Sequence, residues 1–259
     1  QSKGIYVHNT LFRLGSHDAV YCRFLVSNLG KFIAHVAPMV NGFSVTLPFK
    51  EQLLKHLDEV DPIARRIGAV NTVIRRGNRL RGMNTDAAGA LDAIEEAAKV
   101  KGKRVLIVGA GGAARAIAYE AMNRGASILI ANRTASRAST LVRDLRTSPR
   151  DRRVQQIAVP DITVDVFDIL VNATSLGMVP NIHMSPVPRA ILRNKIVFDA
   201  VYNPPVTKLL RDARTVGART VSGTWMYLHQ AALQFELYTG TVPDRRVMMR
   251  ILSRQLKLQ

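Results

Sequence analysis

The rhythm of hydrophobic positions changes near residue 103. Before it, Ala19–Val26 (AVYCRFLV), Gly42–Leu47 (GFSVTL), Val70–Arg75 and Leu80–Asn84 have the apolar, β-branched character of strands, and Arg76-Gly77-Asn78 joins the last two as a tight hairpin. Asn28–Ala37 and Glu51–Ile67 lie between them as expected helices, the second with Leu53, Leu54, Leu57 and Val60 on one face. This pattern predicts a small α/β unit of mixed strand order. Ala87–Ala98 (AAGALDAIEEAA) is rich in helix formers and is expected to bridge into a second unit. From Lys103, short apolar runs alternate with helical stretches. Strands are expected at Val105–Val108, Ser127–Ala131, Val154–Ala158, Ile169–Asn172, Ile196–Ala200 and Ala218–Val221, and helices at Ala113–Asn123, Ser136–Leu145 and Thr207–Arg214. Six strands with intervening helices predict a doubly wound parallel sheet. Thr224–Tyr238 and Arg245–Leu256 close the chain as two amphipathic helices, expected to pack back on the first unit.

The first expected strand of the second unit runs straight into Gly109-Ala110-Gly111-Gly112-Ala113-Ala114 and then a helix. That context gives a G-x-G-x-x-G/A run its meaning as a dinucleotide turn. Gly109 permits the tight turn, Gly111 lets backbone approach a pyrophosphate, and Ala114 keeps helix and strand close. The helix N-terminus then offers unpaired N–H groups to the anion. An NAD-binding sheet usually carries a carboxylate near the end of its second strand, to hold the ribose 2′-hydroxyl. Here Asn132-Arg133-Thr134 stands there, with Arg137 one turn further on. Two guanidiniums and no carboxylate suit a 2′-phosphate, and so NADP rather than NAD.

Composition narrows the classes. With 259 residues the chain can bury a real core, and its apolar runs are strand-sized, far short of a membrane span. The single cysteine, Cys22, excludes an intramolecular disulfide and a cysteine zinc site, and the six histidines show no ligand spacing, so no metal is expected. A cytoplasmic chain is the expectation. The balance of 37 basic to 19 acidic residues gives a net charge of +18, a field that attracts anionic small molecules. Aromatic residues make up only 6% and do not interleave with the arginine clusters, so nucleic acid is not expected as a partner.

Polar residues gather at strand ends in compact motifs: Ser44-Val45-Thr46-Leu47-Pro48-Phe49-Lys50, Gly68-Ala69-Val70-Asn71-Thr72, Asn84-Thr85-Asp86, Asn172-Ala173-Thr174-Ser175-Leu176-Gly177-Met178, Asp199-Ala200-Val201-Tyr202, and Gly223 through Gln230. Singly, Asp86 reads as a helix cap, Lys50 as a surface lysine and Asn71 as a turn residue. As a set they resemble the shikimate dehydrogenase family over the whole chain from Ser2. The phrases GFSVTLPFKEQLLKHLDEVDPIARRIGAVNT and ALQFELYTG are similar to the dehydrogenase half of the bifunctional dehydroquinate dehydratase–shikimate dehydrogenases, so a fused dehydratase domain is an allowed partner.

The resemblance implies an α/β fold with an N-terminal α/β substrate domain (residues 1–88, with helices 227–259 packed back on it) and an NADP-binding Rossmann-like domain (residues 89–226), the site lying in the cleft. It implies Lys50 and Asp86 as the catalytic pair, and Ser2, Gly4, Thr46, Asn71, Tyr202 and Gln230 at the substrate, shikimate or quinate. It implies cofactor contacts at Gly109, Ala110, Gly111, Gly112, Ala113, Asn132, Arg133, Thr134, Arg137, Thr174, Ser175, Ala200, Gly223 and Met226. The chemistry is coherent with those residue types. Oxidising a secondary alcohol needs a base for the hydroxyl proton as hydride leaves, and Lys50 supplies one while Asp86 orients it. His8 is expected to be structural.

Two departures bear on function. The family opens with a strand and a Gly-x-Pro turn before a Ser-x-Ser motif, whereas this chain begins Gln1-Ser2-Lys3-Gly4. The expectation is a truncated chain or a first sheet left with an open edge. Gly4 stands in place of the second serine, which removes a hydroxyl near the substrate carboxylate and opens space toward a quinate-like C1 hydroxyl. Thr46 retains the shikimate pattern. A non-catalytic ligand sensor is the reading of a different class, motivated by the charge and the first strand and opposed by the intact Lys50–Asp86 pair.

Overall fold

The computed structural model describes residues 3–46, 48–148 and 150–257. It divides into two compact units, one formed by Gln1–Thr85 with Leu228–Gln259 and the other by Asp86–Tyr227.

The first unit holds α1 (Gly4–Leu14), α2 (Leu29–His35), β1 (Gly42–Ser44), β2 (Glu59–Val60), α3 (Pro62–Ile67), β3 (Thr72–Arg76) and β4 (Arg79–Met83). Its sheet has the order β1-β3-β4-β2, with β1/β3 and β3/β4 antiparallel and β2/β4 parallel. Arg76 pairs with Arg79 across the two-residue loop Gly77-Asn78, where Gly77 takes φ +58° as primed hairpin turns require. Leu29, Leu53, Ala64, Val70, Val73 and Leu80 fill the core beneath the sheet. On α1, Val7, Leu11 and Phe12 are buried, and Phe12 meets Phe235 at 5.5 Å between ring centroids, so the C-terminal segment belongs to this core.

Two expected elements take a different form. Glu51–Ile67 is not one helix. Gln52–His56 forms a short 3-10 turn, Glu59–Val60 becomes β2, and α3 starts afresh at Pro62. Proline has no N–H to continue a helix and biases Asp61 to an extended backbone, and the Asp61 carboxylate then caps Ile63 at 2.9 Å. Ala19–Val26 forms no strand. The Tyr21 N–H donates to the Asn9 side chain at 2.7 Å, and its carbonyl accepts from the same amide at 2.9 Å. One side chain thus takes both backbone groups that a neighbouring strand would use. Strand propensity marks a chain that fits a sheet; pairing still needs a neighbour.

The second unit contains α4 (Thr85–Glu95), β5 (Arg104–Val108), α5 (Gly112–Asn123), β6 (Ser127–Ala131), α6 (Ala135–Leu145), β7 (Val154–Gln156), β8 (Ile169–Asn172), β9 (Ile196–Asp199), α7 (Lys208–Thr215) and β10 (Arg219–Ser222), after which come α8 (Gly223–Thr239) and α9 (Arg245–Lys257). All six strands are parallel in the order β10-β9-β8-β5-β6-β7. Along β5 the side chains alternate between two cores. Val105 and Ile107 join Leu91, Ile94, Ile117, Ile128 and Leu141 on one face, while Leu106 and Val108 join Phe167, Leu170, Leu209 and Leu210 on the other. A sheet covered on both faces needs apolar residues at consecutive positions, and RVLIV supplies them. The strand order reverses between β5 and β8, and ligands of such sheets bind at the carboxyl ends flanking that reversal.

Candidate active site

At the reversal point β5 ends and the chain turns through Gly109, with φ +124°. A Cβ at this residue would lie 2.9 Å from the Ala173 carbonyl oxygen, so both backbone angle and space demand glycine. Gly111 precedes α5 and Gly112 is its first residue; a Cβ at either would meet nothing within 4 Å. The first-turn N–H groups of α5 therefore face open space, the cradle an anionic diphosphate fits. Ala110 and Ala113 flank this turn, and Ala114 is fully buried against the strand.

The end of β6 supplies the second half. Asn132 donates its amide to the Thr134 carbonyl at 3.0 Å, and the Arg137 N–H donates to the same oxygen at 3.1 Å, which shapes the loop. Among the described residues neither the Arg133 nor the Arg137 guanidinium has a hydrogen-bond or ion-pair partner. Arg137 lines a shallow cavity of about 350 Å³ together with Ala110, Arg115, Ser136, Thr140 and Leu141. Arg115, which the sequence did not single out, is held there by Asp144 at 2.7 Å across α5 and α6. Glycine cradle and unpaired arginines together fit a dinucleotide carrying an extra phosphate.

Beyond β8 the chain is held by Asn172, wholly buried. Its Oδ1 accepts from the Thr174 N–H at 3.0 Å and hydroxyl at 2.7 Å, and its Nδ2 donates to the Leu176 carbonyl at 3.0 Å and to Asp199 at 2.9 Å. Ser175 stands exposed at the tip of this loop. Asp199 also accepts from the Val201 N–H at 3.0 Å and the Thr207 hydroxyl at 2.5 Å. Burial pushes its pKa up to about 6, and those three hydrogen bonds pull against that rise. In the sequence Asp199 stands in a motif without a role, because its side-chain partners lie 8 and 27 residues away. Ala200 and Gly223 come together: a Cβ on Gly223 would lie 2.6 Å from the Ala200 carbonyl oxygen. Met226 packs on the same core as Ala200. Tyr202 is partly exposed, its ring 5.8 Å from that of Tyr227.

In the first unit, the segment after β1 is fastened to the strand that leads into β3. The Val45 N–H donates to the Asn71 carbonyl and the Val70 N–H to the Lys50 carbonyl, each at 2.8 Å. Thr46 is thereby presented at the surface and Lys50 is half-buried. The Asn71 side chain is locked by Thr72 and Thr85, and Gln230 is buried on α8. Asp86 lies in the first turn of α4, where the helix dipole favours a carboxylate, rather than at the cap. Gly4 is buried as the first residue of α1, and Ser2 lies outside the described residues. His8 is buried and stacks on Tyr21 at 4.6 Å; burial lowers its pKa to about 4, which keeps it neutral at ordinary pH. Thr46, Lys50, Asn71 and Gln230 belong to the first unit, whereas Asp86, Tyr202 and the cofactor candidates belong to the second. Among the described residues no group of three or more His, Cys, Asp or Glu side chains is placed to hold a metal ion, and no helix is long and apolar enough to cross a membrane.

Comparison with known proteins matches three regions of the chain to family profiles. Residues 1–73 match the shikimate dehydrogenase substrate binding domain, residues 90–216 the shikimate / quinate 5-dehydrogenase domain, and residues 223–252 the shikimate 5′-dehydrogenase C-terminal domain. The chain is 44% identical over 248 residues to the NADP(+)-dependent shikimate dehydrogenase of Pyrococcus abyssi, covering 95% of this chain and 90% of that one. It is 39% identical to the chloroplastic bifunctional 3-dehydroquinate dehydratase/shikimate dehydrogenase of Arabidopsis thaliana, covering 98% of this chain and 44% of that one. A crystal structure of a shikimate dehydrogenase in complex with NADP+ superposes with a TM-score of 0.90 at 37% identity, covering 98% of this chain and 91% of the other.

Proposed function

Because the chain belongs to the shikimate dehydrogenase family and is an NADP-dependent oxidoreductase, we propose that it interconverts shikimate and 3-dehydroshikimate with Lys50 and Asp86 as its catalytic pair. The single observation that carries the cofactor side is the open Gly111–Gly112 cradle beside two unpaired guanidiniums, Arg133 and Arg137. The N–H donors at the start of α5 and the forked cations after β6 would hold the phosphates of NADP. NADP, when bound, accepts or supplies the hydride.

The chain's own residues supply the rest. In the direction of oxidation the C–H hydrogen leaves with its electron pair, and Lys50 takes the hydroxyl proton so that the carbonyl forms. In reduction the Lys50 ammonium returns that proton and stabilises the developing oxyanion. Asp86 is the carboxylate that orients the lysine for this transfer. Ser2, Thr46, Asn71, Tyr202 and Gln230 hold the substrate's carboxylate and remaining hydroxyls. The assay is NADP+ reduction followed by NADPH absorbance, with shikimate and quinate in parallel and NAD+ as control. Turnover of shikimate with NADP+ is the expected result, and silence with both substrates would overturn the assignment.

Quinate is the second reading, favoured by Gly4. A glycine there leaves room where a serine hydroxyl would contact the carboxylate, and the matched family description itself includes quinate. Gly4→Ser should shift the quinate-to-shikimate ratio of kcat/KM toward shikimate. An unchanged ratio removes Gly4 from the choice.

A further inference from the structure

Four side chains of the first unit form a buried hydrogen-bonded relay that ends on Asn71, and we propose that Gln234 and Thr72 are positioning residues that fix Asn71 as a one-way donor to the substrate. This rests on the reading that Asn71 touches the substrate.

The direction of the shorter bonds follows from atoms that can act in only one way, while the Thr72 and Thr85 hydroxyls, 3.2 Å apart, can donate either way and the Thr85 hydroxyl also lies 3.2 Å from Asn71 Oδ1. The backbone N–H of Thr85 donates to Asn71 Oδ1 at 2.8 Å; a backbone amide cannot accept, so that atom is the carbonyl oxygen. The Thr72 hydroxyl donates to the same oxygen at 2.8 Å. Gln234 Nε2, itself only a donor, gives a hydrogen to Thr72 Oγ1 at 3.0 Å. A hydroxyl has one proton, and with Gln234 supplying a hydrogen from behind, Thr72 turns its own forward. Asn71 Oδ1 then has both lone pairs filled, while Nδ2 gives one hydrogen to Thr85 Oγ1 at 3.0 Å. Among the described residues the other N–H of the amide has no partner and remains for a ligand.

The relay is sealed from water: Thr72 is 0% exposed, Asn71 2%, Thr85 4% and Gln234 5%. Turning the Asn71 amide over would set its N–H groups against the Thr85 N–H, two donors face to face, so the buried amide holds its orientation. Asn71 therefore recognises a lone pair, on a hydroxyl or carbonyl oxygen, and refuses a ligand group that needs to donate. A hydroxyl bound this way accepts from Asn71 and keeps its own proton for another partner. Gln234 lies 162 residues from Thr72 in sequence, one helical turn beyond Gln230.

Thr72→Val preserves shape and deletes the hydroxyl; Gln234→Glu preserves size and, when ionised, accepts from Thr72 and so draws its proton away from Asn71. With the full chain, each should raise KM for shikimate by about tenfold, with KM for NADP+ changed by less than about twofold, the scale of one buried hydrogen bond. Thr72→Ser keeps the hydroxyl and should recover most of that loss; the Gln234→Glu defect, at a side chain that faces the buried His8 imidazole as well as Thr72, should shrink as pH is lowered and the carboxyl regains a proton to donate. Asn71→Ala is the control, with a loss at least as large, to which Thr72→Val adds nothing further. If Asn71→Ala is impaired while Thr72→Val and Gln234→Glu bind shikimate normally, the relay is overturned and the substrate role of Asn71 stands. If Asn71→Ala itself is normal, the substrate role falls and the relay falls with it. Equal losses for shikimate and NADP+ with a lowered melting temperature would reduce both residues to packing and overturn the proposal.

Discussion

Lys50 and Asp86 differ in what each is asked to do, and single substitutions separate the roles. With Lys50 as the proposed proton acceptor, Lys50→Ala should lower kcat by about 10²- to 10⁴-fold, with KM for NADP+ nearly unchanged. Asp86→Ala should lower kcat as well, and wild-type turnover in both variants would end the catalytic assignment. In the proposed reading Arg133 and Arg137 carry the preference for the phosphorylated cofactor. Replacing either with alanine should raise KM for NADP+ by about 10-fold or more while leaving the weaker NAD+ reaction alone, as expected for a lost charge-assisted hydrogen bond. Equal losses with both cofactors would assign the arginines to general packing. Gly223 answers to space instead. Its Cβ would sit 2.6 Å from the Ala200 carbonyl oxygen, so Gly223→Ala should cost about 1–3 kcal/mol in unfolding free energy by overpacking. Chemical denaturation measures that cost, and an unchanged midpoint would show that the backbone there yields freely.

Among the elements, the end of β9 carries a pH signature. Asp199 ties the Asn172 loop, Val201 and the start of α7 to one carboxylate. An aspartate in the unfolded chain titrates near 3.8, and burial raises Asp199 to about 6 in the fold. Between those values the folded protein keeps a proton that the unfolded chain has released, so this group's contribution falls as pH rises through that window and then levels off. At about 1.4 kcal/mol per pKa unit, the stability difference between wild type and Asp199→Asn should shrink by about 2–3 kcal/mol from pH 4 to 7. Urea unfolding at several pH values tests this, and a difference constant with pH would mean that Asp199 stays ionised throughout. In the first unit, the break at Asp61-Pro62 shows how one residue divides a stretch with helical periodicity into a turn, a strand and a helix.

For the molecule as a whole, the net charge of +18 meets a cofactor and a substrate that are both anionic. Such a field raises the encounter rate and is screened by salt. kcat/KM for NADP+ should fall several-fold between about 0.01 and 0.15 M salt, as the Debye length drops from about 30 to about 8 Å. Stopped-flow binding would place the change in the association rate, and a salt-independent rate would mean that the arginine clusters serve solvation alone.

The sequence by itself determined the six-stranded parallel sheet, because strands buried on both faces must be apolar at consecutive positions and the intervening helices show their own period. It also determined the glycine turn at Gly109, whose requirements are local. The motifs SVTLPFK, GAVNT and NATSLGM marked where polar residues gather without saying what each side chain would touch. Tertiary structure decided that Ala19–Val26 would find Asn9 rather than a strand, since pairing depends on what lies alongside. It decided the burial and pKa of Asp199, and it joined Gln234 to Thr72 across the chain. Each of these depends on contacts between residues far apart in sequence, where local periodicity carries no information and the fold alone brings donor and acceptor together.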